Sequence, residues 1–242
     1  MAVKRLDRLL SELGVASRSE LRQIIRSGRV TVDGTAVTAP DEKIDADSCV
    51  LCLDGCVLCS RRLRYFVIDK PEGVLSATED RRQNTVIDLL PPELRRLQLF
   101  PVGRLDKDTE GLLILTNDGD FAHRVISPKS GIEKLYLAGV DGEPDASDAE
   151  AFSEGLILGD GTRCMPAKLE PLGGGSCLVT VMEGKYHQVK RMLASRGKPV
   201  RHLRRLAVGA LRIDDSSGPG WYRELDENDL CKVLESKTLG NR

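Results

Sequence analysis

Leu6, Leu9, Leu10 and Leu13 recur at i, i+3, i+4 and i+7, which is one apolar stripe along a helix. Gly14 follows where a helix C-cap is expected. Ser17-Arg18-Ser19-Glu20 has the spacing of a capping box and predicts a second helix, with Leu21, Ile24 and Ile25 on its core face and Gly28 closing it. Arg18, Arg22, Arg26 and Arg29 fall on a stripe centred roughly 100° around that helix from the apolar residues. The basic edge and the core-facing side are therefore separate. Residues 30–37 alternate about Asp33-Gly34 and predict a hairpin. Leu53-Asp54-Gly55-Cys56 predicts another, pairing Leu53 with Cys56, Cys52 with Val57 and, further out, Val50 with Cys59.

The pattern changes near residue 60. Ser60-Arg61-Arg62-Leu63-Arg64 reads as a short basic link, after which Tyr65-Phe66-Val67-Ile68 begins a strand-like run. Beyond it, apolar runs at 112–115, 135–138 and 178–181 alternate with helical stretches near 146–154 and 187–196, a mixed α and β pattern around a sheet. No internal repeat is evident. Gly173-Gly174-Gly175 has no helix start behind it and reads as a loop, not as a phosphate cradle.

A chain of 242 residues holds one large domain, or a small one plus a medium one. Its 40% hydrophobic and 30% charged composition is that of a soluble globular protein, and no apolar run approaches the roughly 20 residues of a membrane span. The first residues mix acid and base among the apolar positions and lack the apolar core of a secretory signal, so a cytoplasmic location is expected. The net charge of -1 taken alone argues against a nucleic-acid partner. It conceals two basic blocks: residues 1–32 carry seven Lys or Arg against three acids, and residues 184–213 carry nine with no acid. Segregation of that kind fits a protein that offers RNA particular faces.

Cys49, Cys52, Cys56 and Cys59 read as C-x2-C-x3-C-x2-C, the spacing of a zinc or iron-sulfur site. The predicted hairpin opposes that reading, because strand alternation puts Cys49 and Cys56 on one face and Cys52 and Cys59 on the other. Small strand hydrophobes are the expectation. His187 and His202 lack a third convergent ligand, so no metal is expected there either.

The densest cluster of functional side chains is Gly103-Arg104-Leu105-Asp106-Lys107-Asp108-Thr109-Glu110-Gly111-Leu112-Leu113. Asp106, Asp108, Glu110 and Gly111 match the opening positions of an EF-hand loop, but Asn117 stands where its bidentate Glu is required, which rejects calcium. A second option is a carboxylate pair for glycosidic hydrolysis, in which one acid protonates the leaving group and another attacks the sugar.

Four motifs carry a resemblance to a known family. Gly103-Arg104-Leu105-Asp106 with Thr109-Glu110-Gly111-Leu112-Leu113 resembles the active-site motif of pseudouridine synthases of the RsuA group. Asp69-Lys70-Pro71-Glu72-Gly73 resembles the family's first motif, Glu133-Lys134-Leu135-Tyr136 its Lys-x-Tyr motif, and residues 183–192 its third, with Leu203-Arg204-Arg205 and Gly209 following. Residues 4–58, through Arg5-Leu6-Asp7, residues 14–20 and residues 28–34, resemble the S4 RNA-binding domain.

The resemblance implies an α+β chain: a small S4 (αL-type) domain over 1–59, a linker over 60–64, and a synthase domain over 65–242 on a mixed, mainly antiparallel sheet with flanking helices. It implies Asp106 as the carboxylate nucleophile that helps break the C1′–N1 bond of uridine, with no redox step, cofactor or metal. Tyr136 would lie against the uracil. Lys190 matches the position of a cation that orients the nucleophile, with Arg205 as the alternative partner if Lys190 touches phosphate. Arg104 would contact RNA when the target nucleotide leaves its stack. Lys4, Arg5, Arg18, Arg22, Arg26 and Arg29 would meet phosphates from the S4 domain, and Lys185, His187, Gln188, Arg191 and Arg205 would meet RNA from the synthase domain. Lys70 and Pro71 are also explained as shaping a strand end, and Asp108 and Glu110 as solvated loop acids.

The wording Tyr186-His187-Gln188-Val189-Lys190 is closer to the small-subunit enzymes of that group than to the large-subunit ones. It favours one uridine of 16S rRNA, in a small-subunit precursor particle, over a 23S target. A non-catalytic assembly factor and a hydrolytic glycosidase are the competing classes. A monomer is expected from the hydrophilic tail at 236–242 and the lack of a heptad seam.

Overall fold

The computed structural model describes residues 3–46, 49–60, 63–214 and 218–235. Two units, Met1–Arg64 and Tyr65–Arg242, make up the chain. Arg61, Arg62 and the tail at 236–242 lie outside the described residues.

In the first unit, β1 (Val3–Arg5) leads into α1 (Leu6–Glu12) and α2 (Arg18–Arg26). The strands β2 (Val30–Val32), β3 (Thr35–Ala36), β4 (Lys43–Asp45), β5 (Val50–Leu53) and β6 (Cys56–Ser60) follow. Antiparallel β1 and β4 form a pair, and the other strands form a sheet in the order β3-β2-β5-β6. The predicted stripe is the core: Leu6, Leu9, Leu10, Leu21 and Ile25 bury against Val30, Val37, Ile44 and Leu51, with Leu13 and Ile24 packed at its margin. Ser17 caps α2 through a capping box with Glu20. Both hairpins turn on Asp-Gly pairs with positive φ at both residues, the conformation that the right-handed twist of paired strands favours.

One pairing differs from the expectation. Leu53 faces Cys56 and Cys52 faces Val57, but a register shift then sets Leu51 opposite Cys59 and Val50 opposite Ser60. The extra residue on β6 is Leu58, which packs against the core, so burial of that side chain accounts for the bulge. The Cys59 side chain lies outside the described residues.

The second unit holds β7 (Tyr65–Lys70), α3 (Pro92–Arg95), β8 (Phe100–Pro101), β9 (Glu110–Thr116), α4 (Gly119–Ile126) and β10 (Lys134–Val140). These are followed by α5 (Ala146–Glu154), β11 (Lys168–Gly173), β12 (Ser176–Val181), α6 (Gln188–Ser195), β13 (Val200–Val208), β14 (Leu211–Arg212), β15 (Tyr222–Glu224) and α7 (Glu227–Leu234). The main sheet runs β11-β12-β10-β13-β9-β7-β15, with β14 on β13 and β8 on β9. Only β9 and β13 run parallel among the described pairs. Phe152, Met192 and Leu193 pack over Val179 and Val181, while Phe121, Val125 and Val233 pack with Leu112 and Ile114. No helix among the described residues is long and apolar enough to cross a membrane.

The parallel junction positions the site. Gly111 lies opposite Arg205 with φ +102°, and a Cβ added there would stand 2.2 Å from the Arg205 carbonyl oxygen. Only glycine lets the two strands approach this closely. Tyr136 of β10 pairs with Arg205 from the other side, so the start of β9, the middle of β13 and Tyr136 share one region of the sheet.

Candidate active site

Asp106 sits in the loop between β8 and β9, and that loop is pinned on both sides of it. The Lys70 ammonium is fully buried and donates to the carbonyls of Pro71 (2.9 Å), Lys107 (3.3 Å) and Thr109 (2.8 Å). Burial pulls its pKa down to about 8, against the upward pull of Asp108, Glu110, Asp106 and Glu72. Ser76 Oγ donates to the Leu105 carbonyl (2.8 Å) and accepts from the Leu105 amide (3.0 Å), while Gly73 N–H donates to Lys107 O (2.8 Å). The buried Leu105 anchors the loop in the apolar cluster beneath it.

Lys190 Nζ stands 3.2 Å from Asp106 Oδ2 and 2.5 Å from Asp108 Oδ1, so one ammonium is shared by two carboxylates. Its hydrogen bond holds the Asp108 carboxyl below the usual carboxylate range. His187 Nε2 lies 3.4 Å from Asp106 Oδ1. Buried Glu183 makes these approaches possible. It accepts from the Met165 amide (2.8 Å), Gln188 Nε2 (2.8 Å) and Lys185 Nζ (2.6 Å), which fixes residues 183–188 and thereby the start of α6. His187 closes the turn in the left-handed region at φ 48°, a conformation that residue tolerates better than a β-branched one.

Asp106, Asp108, Arg104, Tyr136, Lys134, Glu183, Lys185, His187 and Arg205 line one cleft of about 990 Å³, with Val102, Ile114, Val125, Ile126 and Val208 as apolar wall. Arg205 is buried, donates to Leu112 O (2.7 Å), and points a second nitrogen at Tyr136 Oη (3.5 Å). Lys190, not Arg205, is the cation beside Asp106. Arg104 is exposed and has no ion-pair partner among the described residues. Tyr186 is 74% exposed at the rim, its ring stacked on His187 with centroids 3.9 Å apart.

Several of the expected residues have internal partners. Gln188, expected to meet RNA, is 5% exposed, and its amide is held by Glu183 and the Lys185 N–H. Lys185 is tied to Glu183 and to the Arg163 carbonyl, and Arg191 pairs with Asp160 at 2.5 Å. Asp108 and Glu110 are not merely solvated: Glu110 lies 2.9 Å from His202 Nε2 and 3.7 Å from Arg204. The basic block at 184–213 is not a bare cationic face. Lys185, Lys190, Arg191, Arg196, Lys198, Arg201 and Arg204 all pair with acids that lie outside the block, Arg204 with the fully buried Asp69 at 2.6 Å.

In the first unit the six basic residues divide. Lys4 pairs with Glu12 (2.7 Å), Arg5 makes a bidentate pair with Asp7, and Arg29 another with Asp54. Arg18 and Arg26 are exposed without an ion-pair partner among the described residues, and Arg22 reaches Asp7 only at 3.9 Å. Lys70 and Ser76 as supports of the loop were not legible in advance, because each acts on residues 29 to 39 positions away, and Glu183 was not read as the group that fixes the start of α6.

Residues 64–195 match the RNA pseudouridylate synthase family, and residues 4–48 match the S4 domain. The chain is 42% identical to an uncharacterized RNA pseudouridine synthase, YtzG, of Bacillus subtilis, over 96% of this chain and 98% of the relative. It is 38% identical to the ribosomal small subunit pseudouridine synthase A of Vibrio cholerae, over 95% and 99%. A crystal structure of a pseudouridylate synthase superposes with a TM-score of 0.67 at 33% identity, covering 95% of this chain and 99% of the other. The chain belongs to the RNA pseudouridylate synthase family, as an RsuA-type member with an S4 domain ahead of its synthase domain.

Proposed function

We propose that this protein converts one uridine of 16S rRNA, within a small-subunit precursor particle, to pseudouridine, with Asp106 as nucleophile and no cofactor. The observation that carries the reading is the Asp106 carboxylate in the cleft, on a loop pinned by Lys70 and Ser76, with Lys190 3.2 Å away. A carboxylate held in that way is positioned to attack C1′ of the ribose as the C1′–N1 bond breaks. The freed uracil turns and bonds C1′ through C5, the carboxylate departs, C5 loses its proton and N1 gains one.

Tyr136 supplies a ring for the uracil to lie on, and Arg104, without an ion-pair partner among the described residues, takes the space of the displaced nucleotide or its phosphate. The stacked Tyr186 and His187 offer an unpaired neighbouring base a second surface. Arg18, Arg22 and Arg26 grip phosphate from the S4 unit. The small-subunit target is supported by the Tyr186-His187-Gln188-Val189-Lys190 wording and by relatives named ribosomal small subunit pseudouridine synthase A at 36–38% identity.

RNA carrying tritium at C5 of its uridines tests the chemistry, since forming the C5–C1′ bond releases that hydrogen to water. Release with the wild-type protein and none with Asp106→Asn is expected. Equal release by the variant would remove Asp106 from its role.

A further inference from the structure

Among the described residues, three buried side-chain polar atoms have no hydrogen-bond partner: Asp69 Oδ1, Thr109 Oγ1 and Lys134 Nζ. They differ in what they leave exposed electrically. The Asp69 charge is met by Arg204 through its other oxygen, and the Thr109 hydroxyl is neutral. Lys134 alone is a full charge with nothing to receive its hydrogens. It is 8% exposed and lines the cleft that holds Asp106 and Tyr136.

Its surroundings do not explain it. Burial pulls its pKa down to about 8, and the charge acting on it, Arg205, is another cation that pulls the same way. An unpaired buried ammonium is destabilising, and an apolar side chain of the same length would serve the fold better. Position suggests what it serves. Lys134 and Tyr136 are two apart on β10, whose register with β12 is regular through this stretch, so they project from the same face of the strand. Their Cα atoms stand roughly 7 Å apart, within the length of a lysine side chain, so Lys134 reaches the edge of a ring lying against Tyr136.

Building on the reading of Asp106 and Tyr136 above, we propose that Lys134 is a further catalytic residue, whose ammonium holds a carbonyl oxygen of the target uracil and stabilises the charge the base acquires on leaving the ribose. When the C1′–N1 bond breaks, its electron pair stays with the uracil, and the negative charge spreads from N1 onto the carbonyl oxygens. A fixed cation at one of those oxygens, beside the apolar wall of the cleft, stabilises the departing base more than the neutral uridine. The ammonium keeps its own proton throughout. The missing hydrogen-bond acceptor is thus the substrate itself.

The test compares wild type, Lys134→Met and Asp106→Asn for single-turnover pseudouridine formation, RNA affinity and thermal unfolding. Lys134→Met is expected to bind RNA within about 3-fold of wild type and to form pseudouridine roughly 100-fold more slowly or worse. It is also expected to unfold at a higher temperature, an outcome a merely structural lysine would reverse. A Lys134→Met rate within about 3-fold of wild type, beside an inactive Asp106→Asn, would overturn this role and leave the Asp106 assignment standing. A slow rate with a lowered unfolding temperature would also overturn it, in favour of a structural role. Failure of the wild-type protein to form any pseudouridine would overturn both.

Discussion

Asp106 is held by groups that come from three directions: Lys70 and Ser76 beneath its loop, Lys190 and His187 from the start of α6, and Gly111 immediately after it. Asp106→Asn keeps the shape and removes the charge. It is expected to abolish isomerisation while RNA affinity stays within a few-fold, because many phosphate contacts survive, as a filter-binding titration would show. The residues proposed to carry the chemistry could be named from the sequence because each stands in a short motif. Lys70 and Glu183 stand in such motifs too, but the groups that each one holds were not legible. Gln188 illustrates the limit: the same string that marks Lys190 also contains a side chain that turns inward to Glu183, and sequence spacing does not separate the two uses.

Lys134 adds a pH dependence whose sign follows from its lowered pKa. Its proton is held less tightly in the folded chain than in the unfolded one, so its charge costs stability in full below pH 8, and the cost fades between about pH 8 and 10.5. The advantage expected of Lys134→Met in urea unfolding should therefore be largest at neutral pH and shrink as pH rises through that window. Taking the difference between the two proteins cancels the buried Cys164 and Cys177 thiols, whose raised pKa values act in the opposite direction. An advantage that grows with pH would contradict this assignment.

Helices α1, α2, α5 and α6 and strands β9, β10 and β12 follow from local periodicity, and the structure places them close to where the pattern put them. Strand β13 was hidden. Its string Val200-Arg201-His202-Leu203-Arg204-Arg205 reads as a basic segment, yet it lies inside the sheet because Asp69 and Glu110 receive Arg204 and the Leu112 carbonyl receives Arg205. Two substitutions test the local devices. Gly111→Ala forces a Cβ against the Arg205 carbonyl at a positive φ and should cost about 3 kcal/mol or more in urea unfolding. Ser17→Ala removes the α2 cap and should cost about 1 kcal/mol, read as faster hydrogen exchange in the first turn of that helix.

Over the chain as a whole, charge that is segregated in sequence is largely neutralised in space. Seven of the cations at 184–213 meet acids, and Lys4, Arg5 and Arg29 do the same in the first unit. Among the described residues of the first unit, what stays available for phosphate is the Arg18, Arg22 and Arg26 stripe. Replacing those three with alanine should weaken RNA binding most at low salt and lower the slope of log affinity against log salt by roughly 2. Replacing Lys4, Arg5 and Arg29 should change that slope less, since each already has an acidic partner. Equal effects of the two sets would mean that the internal pairs open on binding.

Site-resolved pseudouridine mapping of 16S and 23S rRNA, and of small-subunit particles, after incubation with the wild-type protein or Asp106→Asn, examines enzyme, nucleophile and target together. A single new pseudouridine in 16S rRNA, absent with the variant, is the predicted result. Modification confined to 23S rRNA, or the same 16S site modified by Asp106→Asn, would contradict it.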